Sequence, residues 1–284
     1  DNDSAYQSWR EVRLDQYKSP GGNPLIHVTD IARLEPAEHA ALLARCQAMN
    51  MAIYEAGSPV DKAGIRALGR QFGLQHLDMN LRADEDRITS LRVVAETAGT
   101  RYIPYTNRPL NWHTDGYYNR PQEQVRGIIM HCVSTSASGG DNLFLDPEIA
   151  YLLLRDENPD YIRAFMQPDA MTIPANIEGG VELRPQQSGP VFSVSARGAL
   201  HMRYTARTRS VEWKDDRNTR LAAAFLSELL NSDSLYIDRH RLQAGQGRIC
   251  NNVLHTREAF NDDAQSGQTR LLYRARYHER IQGT

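Results

Sequence analysis

The order of strand-like and helical segments along this chain restricts its fold more than any other feature of the sequence. The strand candidates are apolar or rich in β-branched residues, follow a helical beginning and lie far apart from one another. They cover residues 125–133, 191–195, 199–204, 247–254 and 271–277. Strands spaced in this way do not form βαβ units and are typical of two facing sheets. We therefore predict a mainly β protein with peripheral helices around a double-stranded β-helix, or jelly-roll, core.

Helical patterns mark the first part of the chain and two later insertions. One helix is predicted from Glu35 to about Met49, and a second starts at Ser58, with Pro59 as its first helical residue. The insertions cover residues 147–166, with a break at Asn158-Pro159, and residues 219–230. The 284 residues suit one domain, with a helical part at about 1–87 and a jelly-roll core at about 88–284. The glycine motifs of nucleotide-binding folds do not occur.

Composition excludes several classes of partner. The net charge is −2 and the basic residues are scattered, so neither a nucleic acid nor an anionic membrane is predicted as a partner. No apolar run approaches the roughly 20 residues of a membrane span. Cys46, Cys132 and Cys250 are odd in number and widely spaced, which favours a reducing compartment, and a cytoplasmic location is expected. Residues 1–4 do not resemble a secretory signal, although the lack of an initial Met leaves a removed leader open. A homo-oligomer also stays open.

A His-x-Asp pattern is the first sign of a metal site, and it occurs twice. In an extended segment residues i and i+2 point to one face, so an imidazole and a carboxylate can reach the same ion. With one distant His they form the facial triad of non-haem Fe(II) oxygenases. One copy runs from His113 to Asp115 and the other from His76 to Asp78. Because His76 follows soon after the second helix and precedes most of the strands, we interpret the second copy as a surface pair or a structural contact.

Further motifs follow the first copy in a fixed order. Gly139-Gly140-Asp141 forms a tight turn that enters a strand. Far downstream a mostly apolar strand, 247–254, ends directly before His255, and Thr269-Arg270 follows fifteen residues later. This order resembles the taurine dioxygenase superfamily of 2-oxoglutarate oxygenases, from about residue 88 to the C-terminus.

Local details resemble one branch of that superfamily more closely. His131-Cys132 before the glycine turn and Arg203-Tyr204 before the distal His are similar to the γ-butyrobetaine and trimethyllysine hydroxylases.

The resemblance implies the cofactor, the co-substrates and their binding residues. His113, Asp115 and His255 would hold Fe(II), and Arg270 would bind the distal carboxylate of 2-oxoglutarate, for which a guanidinium fork is suited. Asn142 stands where family members often have Thr or Ser and would donate to the same carboxylate. Molecular oxygen would be the other co-substrate, with succinate and carbon dioxide as co-products. A small molecule would be hydroxylated or otherwise oxidised, since the retained carboxylate of Asp115 favours oxygenation over halogenation.

Two hypotheses on the substrate stay open. Arg274 follows Arg270 by four residues, so both should point to one strand face, toward the iron pocket. Arg274 would then bind either an acidic group of the substrate, a co-substrate or a structural partner. The competing hypothesis is a quaternary ammonium substrate enclosed by Tyr102, Tyr105 and Tyr117.

Two other classes of protein compete with an oxygenase. A non-catalytic jelly-roll that binds a metal or a small acid is one, and the intact ligands and Arg270 argue against it. A zinc hydrolase could also use two His and one Asp, but it would have no need for Thr269-Arg270.

Overall fold

The computed structural model describes residues 3–18, 24–79, 84–94, 103–207 and 211–284. Two sheets pack face to face, and one apolar cluster takes residues from both. Met51, Ile128 and Cys250 come from the larger sheet and Phe144 from the smaller. The predicted jelly-roll with peripheral helices is confirmed. Within the described ranges, no helix is both long enough and apolar enough to cross a bilayer.

The larger sheet has six strands, and its spatial order departs from the chain order. Across it lie β1 (Leu25–Val28), β2 (Met51–Ala56), β16 (Gln246–Cys250), β5 (Gly127–Ser134), β19 (Leu271–Tyr277) and β3 (Thr89–Leu91). β1 and β2 are parallel, whereas β16 is antiparallel to both β2 and β5. Because β1 and β2 come from the first 87 residues, the prediction that this part of the chain is helical was incomplete.

The smaller sheet has four strands and carries two of the candidate metal ligands. Across it lie β15 (Asp238–His240), β7 (Asn142–Leu145), β17 (Leu254–Arg257) and β4 (Leu110–His113). Short strands extend the framework: β6 (Ser138–Gly139) with β18 (Phe260–Asn261), β8 (Met171–Ile173) with β11 (Gln187–Gly189) and β14 (Glu212–Trp213), β9 (Asn176–Glu178) with β10 (Val181–Arg184), and β12 (Phe192–Val194) with β13 (Leu200–Met202).

The helices of the described residues are α1 (Asp3–Lys18), α2 (Pro36–Met49), α3 (Lys62–Gln71), α4 (Pro147–Glu157), α5 (Pro159–Phe165) and α6 (Arg217–Leu230). Side chains cap the last four of these, from Asp61, Asp146, Asn158 and Asp216. The predicted start of α3 at Ser58 is wrong, because the oxygen that accepts from the Gly64 amide, at 2.8 Å, belongs to Asp61. The predicted break at Asn158 separates α4 from α5, and its side chain caps α5.

The predicted strand 247–254 is two strands in different sheets. β16 ends at Cys250 and β17 begins at Leu254. Between them Asn252 has a φ of 51°, a left-handed conformation that Asn adopts more readily than most residues. The chain crosses there from the larger sheet to the smaller. His255 is therefore the second residue of β17 rather than the residue after one long strand.

Candidate metal centre

Two histidines face each other across neighbouring strands. His255 of β17 is directly opposite His113 of β4, and their ring centroids are 4.3 Å apart. Each Nδ1 lies within hydrogen-bond distance of a carbonyl two residues earlier, 2.8 Å from Asn111 O and 2.9 Å from Val253 O. Since a carbonyl only accepts, each Nδ1 carries the proton and each Nε2 keeps its lone pair. Both rings are thus in the tautomer that binds a metal through Nε2.

The third residue of the cluster, Asp115, is held through its backbone. The side chain of Asn252 accepts from the Asp115 amide at 2.8 Å and donates to the Asp115 carbonyl at 2.9 Å. It also donates to the carbonyl of Val125 at 2.6 Å. Asn252 is the left-handed residue at which the chain crosses between the sheets, so one residue both turns the chain toward His255 and positions Asp115. Sequence reasoning missed this role, and the Asn251-Asn252 pair after an apolar strand was its one signal.

The three side chains converge on one point. One potential ligand atom from each of His113, Asp115 and His255 lies within 4.8 Å of the others. Nε2 of His113 is 3.8 Å from Oδ1 of Asp115. Two imidazoles and one carboxylate on one side of an ion form a facial triad, which leaves the opposite side open. The cluster could therefore hold a divalent metal with open positions.

The electrostatics of the cluster favour the ligating protonation states. Burial, above all, and neighbouring positive charge lower the pKa of both His113 and His255, so the rings stay neutral. Burial alone would raise the pKa of Asp115, but the guanidiniums of Arg274 and Arg276 and the two histidines outweigh burial. They hold the pKa of Asp115 below its ordinary value. Two neutral imidazoles and an ionised carboxylate are the forms a metal needs.

Arg270 and Asn142, predicted for 2-oxoglutarate, line one cavity. Arg270 is 7% exposed, and in the described part of the chain no carboxylate forms an ion pair with its guanidinium. Its Cζ lies 4.9 Å from the ring centroid of Phe260. Asn142 donates through Nδ2 to the carbonyl of Thr256 at 2.7 Å. Burial lowers the pKa of Arg270 to about 10, which leaves the guanidinium charged at neutral pH.

The structure places Arg274 beside the metal cluster. Its Nη1 is 3.3 Å and 3.4 Å from the two carboxylate oxygens of Asp115. Its buried Nε has no hydrogen-bond partner among the described residues. Of the three roles left open for Arg274, the contact seen is with a structural partner, the candidate metal ligand itself. The free Nε leaves a donor for a further group.

Of the three aromatic residues predicted as a cage, the structure describes Tyr105 and Tyr117, and these two belong to different apolar clusters. Tyr102 lies outside the described residues. Tyr105 packs in an apolar cluster with Met130 of β5, whereas Tyr117 packs against a different core cluster. The Tyr117 ring centroid is 6.5 Å from that of His113. Tyr117 therefore packs beside one of the candidate metal ligands.

The second His-x-Asp copy is structural. The His76 side chain is 77% exposed, and its Nδ1 contacts Glu279. Asp78 is 4% exposed and forms a buried ion pair with Arg276, while Nδ2 of Asn119 donates to it at 2.7 Å. The predicted structural contact is present, with the addition that Asp78 is buried rather than at the surface.

Two facing sheets with a His-Asp-His cluster between them place the fold among jelly-roll oxygenases. A family model, the taurine catabolism dioxygenases (TauD, TfdA family), matches residues 26–276. The chain belongs to this family, whose members depend on Fe(II) and 2-oxoglutarate.

Individual proteins that resemble this chain have low sequence identity to it. A uridine-5'-phosphate dioxygenase from Amycolatopsis sp is 30% identical over 170 residues, and the match spans 57% of this chain and 60% of that protein. The structure of a taurine dioxygenase from Burkholderia xenovorans has 18% identity and a TM-score of 0.59, covering 90% of this chain and 88% of that one. The non-heme iron oxygenase OrfP, in complex with Fe and alpha-ketoglutaric acid, has 14% identity and a TM-score of 0.62, covering 90% and 94%. At these identities the two structures share the fold with this chain.

Proposed function

We propose that this protein is an Fe(II)- and 2-oxoglutarate-dependent dioxygenase that oxidises a small molecule carrying an acidic group. One observation carries the proposal: ligand atoms of His113, Asp115 and His255 converge within 4.8 Å, and a cavity lined by Arg270 and Asn142 connects to this cluster through the bond from Asn142 to the carbonyl of Thr256, the neighbour of His255. A zinc hydrolase would need the first feature but not the second.

His113, Asp115 and His255 would hold the iron. The donor set fits, because the two Nε2 lone pairs and the ionised carboxylate are already in ligating form. Bound Fe(II) supplies the oxidising chemistry by activating oxygen with electrons from the decarboxylation of 2-oxoglutarate. The chain itself orients both rings through backbone carbonyls and orients Asp115 through Asn252. Burial of the cluster keeps water away from it.

Arg270 and Asn142 would position the co-substrate. The buried guanidinium of Arg270 lines the same cavity as Asn142 and has no ion-pair partner among the described residues, so it suits the distal carboxylate of 2-oxoglutarate. Asn142 already donates to the carbonyl of Thr256, so it would use its second amide hydrogen toward the ligand.

The charge of the pocket favours an acidic substrate. Arg248, Arg270 and Arg274 are buried and close enough for their charges to interact, and the carboxylate of Asp115 interacts with Arg248 and Arg274. Fe(II) would add two positive charges and 2-oxoglutarate would offset two, which leaves a positive surplus for an anion. The relative that acts on uridine 5'-phosphate is named for a substrate with a phosphate. A quaternary ammonium would be repelled by the same surplus.

The first test is spectroscopic. Anaerobic titration of the Fe(II)-loaded protein with 2-oxoglutarate should produce the visible metal-to-ligand charge-transfer band of a chelated 2-oxo acid. Zn(II)-loaded protein is the control and should give no band. A protein that binds Fe(II) but shows no band at saturating 2-oxoglutarate is not an oxygenase of this type.

The second test concerns the co-substrate. Arg270→Ala removes a charge-assisted pair that contributes about 1.5–3 kcal/mol, so the dissociation constant for 2-oxoglutarate should rise about tenfold or more. Fe(II) affinity should change little, and unchanged 2-oxoglutarate affinity would exclude Arg270 from this role.

The third test concerns the acidic group. Pairs of substrate analogues with and without that group should be compared by substrate-dependent succinate formation, in the wild type and in Arg274→Gln. The mutant should lose most of the discrimination within each pair while 2-oxoglutarate affinity barely changes. Equal discrimination in both proteins, or a preference for quaternary amines that Tyr117→Ala abolishes, would contradict the anion hypothesis.

A further inference from the structure

A buried guanidinium on β16 has no partner that explains its burial. Arg248 is 2% exposed, and within the described ranges neither its Nε nor its Nη1 has a hydrogen-bond partner. Its Cζ lies 4.5 Å from the centroid of the Phe144 ring. A ring face attracts a cation only weakly, and buried charges are normally paired and hydrogen-bonded. Asp115, the nearby carboxylate, contacts Arg274 at 3.3 Å instead.

The strand register places Arg248 on the inner face of the larger sheet. Arg248 of β16 is opposite Met130 of β5, which is in turn opposite Arg274 of β19. Directly paired residues of neighbouring strands point to the same face. Arg248 and Arg274 therefore share that face two strands apart, at a spacing of about 10 Å. Arg274 is the member of this row that contacts the carboxylate of Asp115.

Arg248 lies on the side of the cluster that holds the candidate co-substrate residues. Phe144, over which it stacks, is opposite His255 and two residues after Asn142 in β7, so Asn142 and Phe144 share a strand face. Burial lowers the pKa of Arg270 first, and the nearby charge of Arg248 lowers it further. Arg248 and Asn142 are thus linked to the strand of His255 through Phe144 and Thr256, and Arg270 is near enough to Arg248 for their charges to interact.

We propose that Arg248 is a second arginine for 2-oxoglutarate, binding carboxylate oxygens of the co-substrate that Arg270 and Asn142 leave unsatisfied. The inference rests on the function proposed above. Two ionised carboxylates together offer about eight acceptor positions, more than the donors of Arg270 and Asn142 can fill. Arg248 supplies free donors and a charge of the right sign, on the co-substrate side of the cluster. Among the described residues its Nε and Nη1 lack acceptors, and the co-substrate would supply them.

A role of Arg248 in binding 2-oxoglutarate and a role in stabilising the fold predict different effects of the same substitution. If the co-substrate is the partner of Arg248, an apolar side chain of similar length should relieve the free protein of an unpaired charge. If Arg248 instead serves the core by stacking on Phe144, the same change should destabilise the fold and leave binding alone.

The experiment uses anaerobic Fe(II)-loaded protein and 2-oxoglutarate as the probe. The dissociation constant is measured from the charge-transfer band, and thermal unfolding midpoints are measured with and without 2-oxoglutarate. Arg248→Met should weaken 2-oxoglutarate binding by about 10- to 100-fold, as expected for losing a charge-assisted pair. Its midpoint without 2-oxoglutarate should equal or exceed that of the wild type, and most of the 2-oxoglutarate-induced rise should be lost.

Arg13→Met is the matched control, because Arg13 of α1 is likewise buried but is paired with Asp146 and does not contact the metal cluster. It should lower the midpoint and leave 2-oxoglutarate affinity near that of the wild type. Should Arg248→Met fail to fold, Arg248→Lys keeps the charge but not the guanidinium, and weaker 2-oxoglutarate binding in that variant supports the proposal. Wild-type affinity in either Arg248 variant overturns it. A wild-type protein that shows no charge-transfer band refutes the proposed function itself, which is a separate outcome.

Discussion

The two His-x-Asp segments of this chain have the same spacing but different surroundings. In both, the Asp is buried and faces an arginine of β19: Asp115 contacts Arg274, and Asp78 contacts Arg276. The histidines differ. His113 lies opposite His255 with its Nδ1 held by a carbonyl, whereas the side chain of His76 is 77% exposed. A metal site therefore needs a third ligand from a distant strand, which His-x-Asp does not contain, and a fixed tautomer, which the carbonyl of Asn111 just outside the motif provides.

The largest effect should come from removing a member of the candidate metal cluster. His113→Ala, Asp115→Ala and His255→Ala should each abolish detectable Fe(II) binding and succinate formation, because a facial triad has no spare protein ligand. Isothermal titration with Fe(II) under anaerobic conditions measures the first and a succinate assay the second. If His113→Ala retains activity while a folded His76→Ala variant loses it, the comparison between the two motifs is reversed.

The next largest effect should be on folding. Asp78→Ala leaves the buried guanidinium of Arg276 unpaired, which typically costs about 3–5 kcal/mol in the free energy of unfolding. Urea unfolding followed by far-UV circular dichroism measures it. The molecules that remain folded should still bind Fe(II) with near wild-type affinity. A change below about 1 kcal/mol, the range of exposed ion pairs, would contradict the buried pairing.

Asn252→Ala should weaken the metal site without removing a ligand. Groups that orient a ligating side chain typically contribute about 10- to 100-fold to metal affinity, and Asn252 holds the backbone of Asp115 on both sides. The measurement is again Fe(II) titration. Asn251→Ala is the control, because that buried neighbour bonds to Asn50 and Thr284 rather than to the metal cluster. Equal losses of Fe(II) affinity in both variants would indicate a general loss of structure.

His76→Ala should have the smallest effect. Substitutions of exposed residues usually change the free energy of unfolding by no more than about 0.5 kcal/mol, and the contact with Glu279 is at the surface. Fe(II) affinity should equal that of the wild type. A loss of Fe(II) binding in this variant, with the fold intact, would give the second motif a function that its exposure argues against.

The ordered motifs gave the architecture and the set of residues that converge, because family resemblance carries long-range information that periodicity lacks. The predictions that were wrong concern features that depend on contacts between residues far apart in the sequence. The mostly apolar segment predicted one strand at 247–254, but the chain crosses between sheets at Asn252, whose left-handed backbone is stabilised by the hydrogen bonds to Asp115 and Val125. A local pattern does not reveal such a crossing.

The N-cap of α3, Asp61, and the burial of Arg248 were likewise not predictable from residue spacing. Ser58 and Asp61 are both good N-cap residues, and only the fold decides which one caps the helix. An arginine within an apolar strand gives no sign of whether it faces solvent or the space between two sheets.

The cavity shared by Arg270 and Asn142 also bears on the pace of the reaction. Succinate, the co-product implied by the family, has two carboxylates, so the donors that bind 2-oxoglutarate would also bind succinate. In each turnover this dianion must dissociate from a positively charged pocket before the next 2-oxoglutarate can bind. We expect departure of succinate to set the steady-state rate, as product release does in many enzymes. Other small dianions in the surroundings would compete for the same place and slow the cycle.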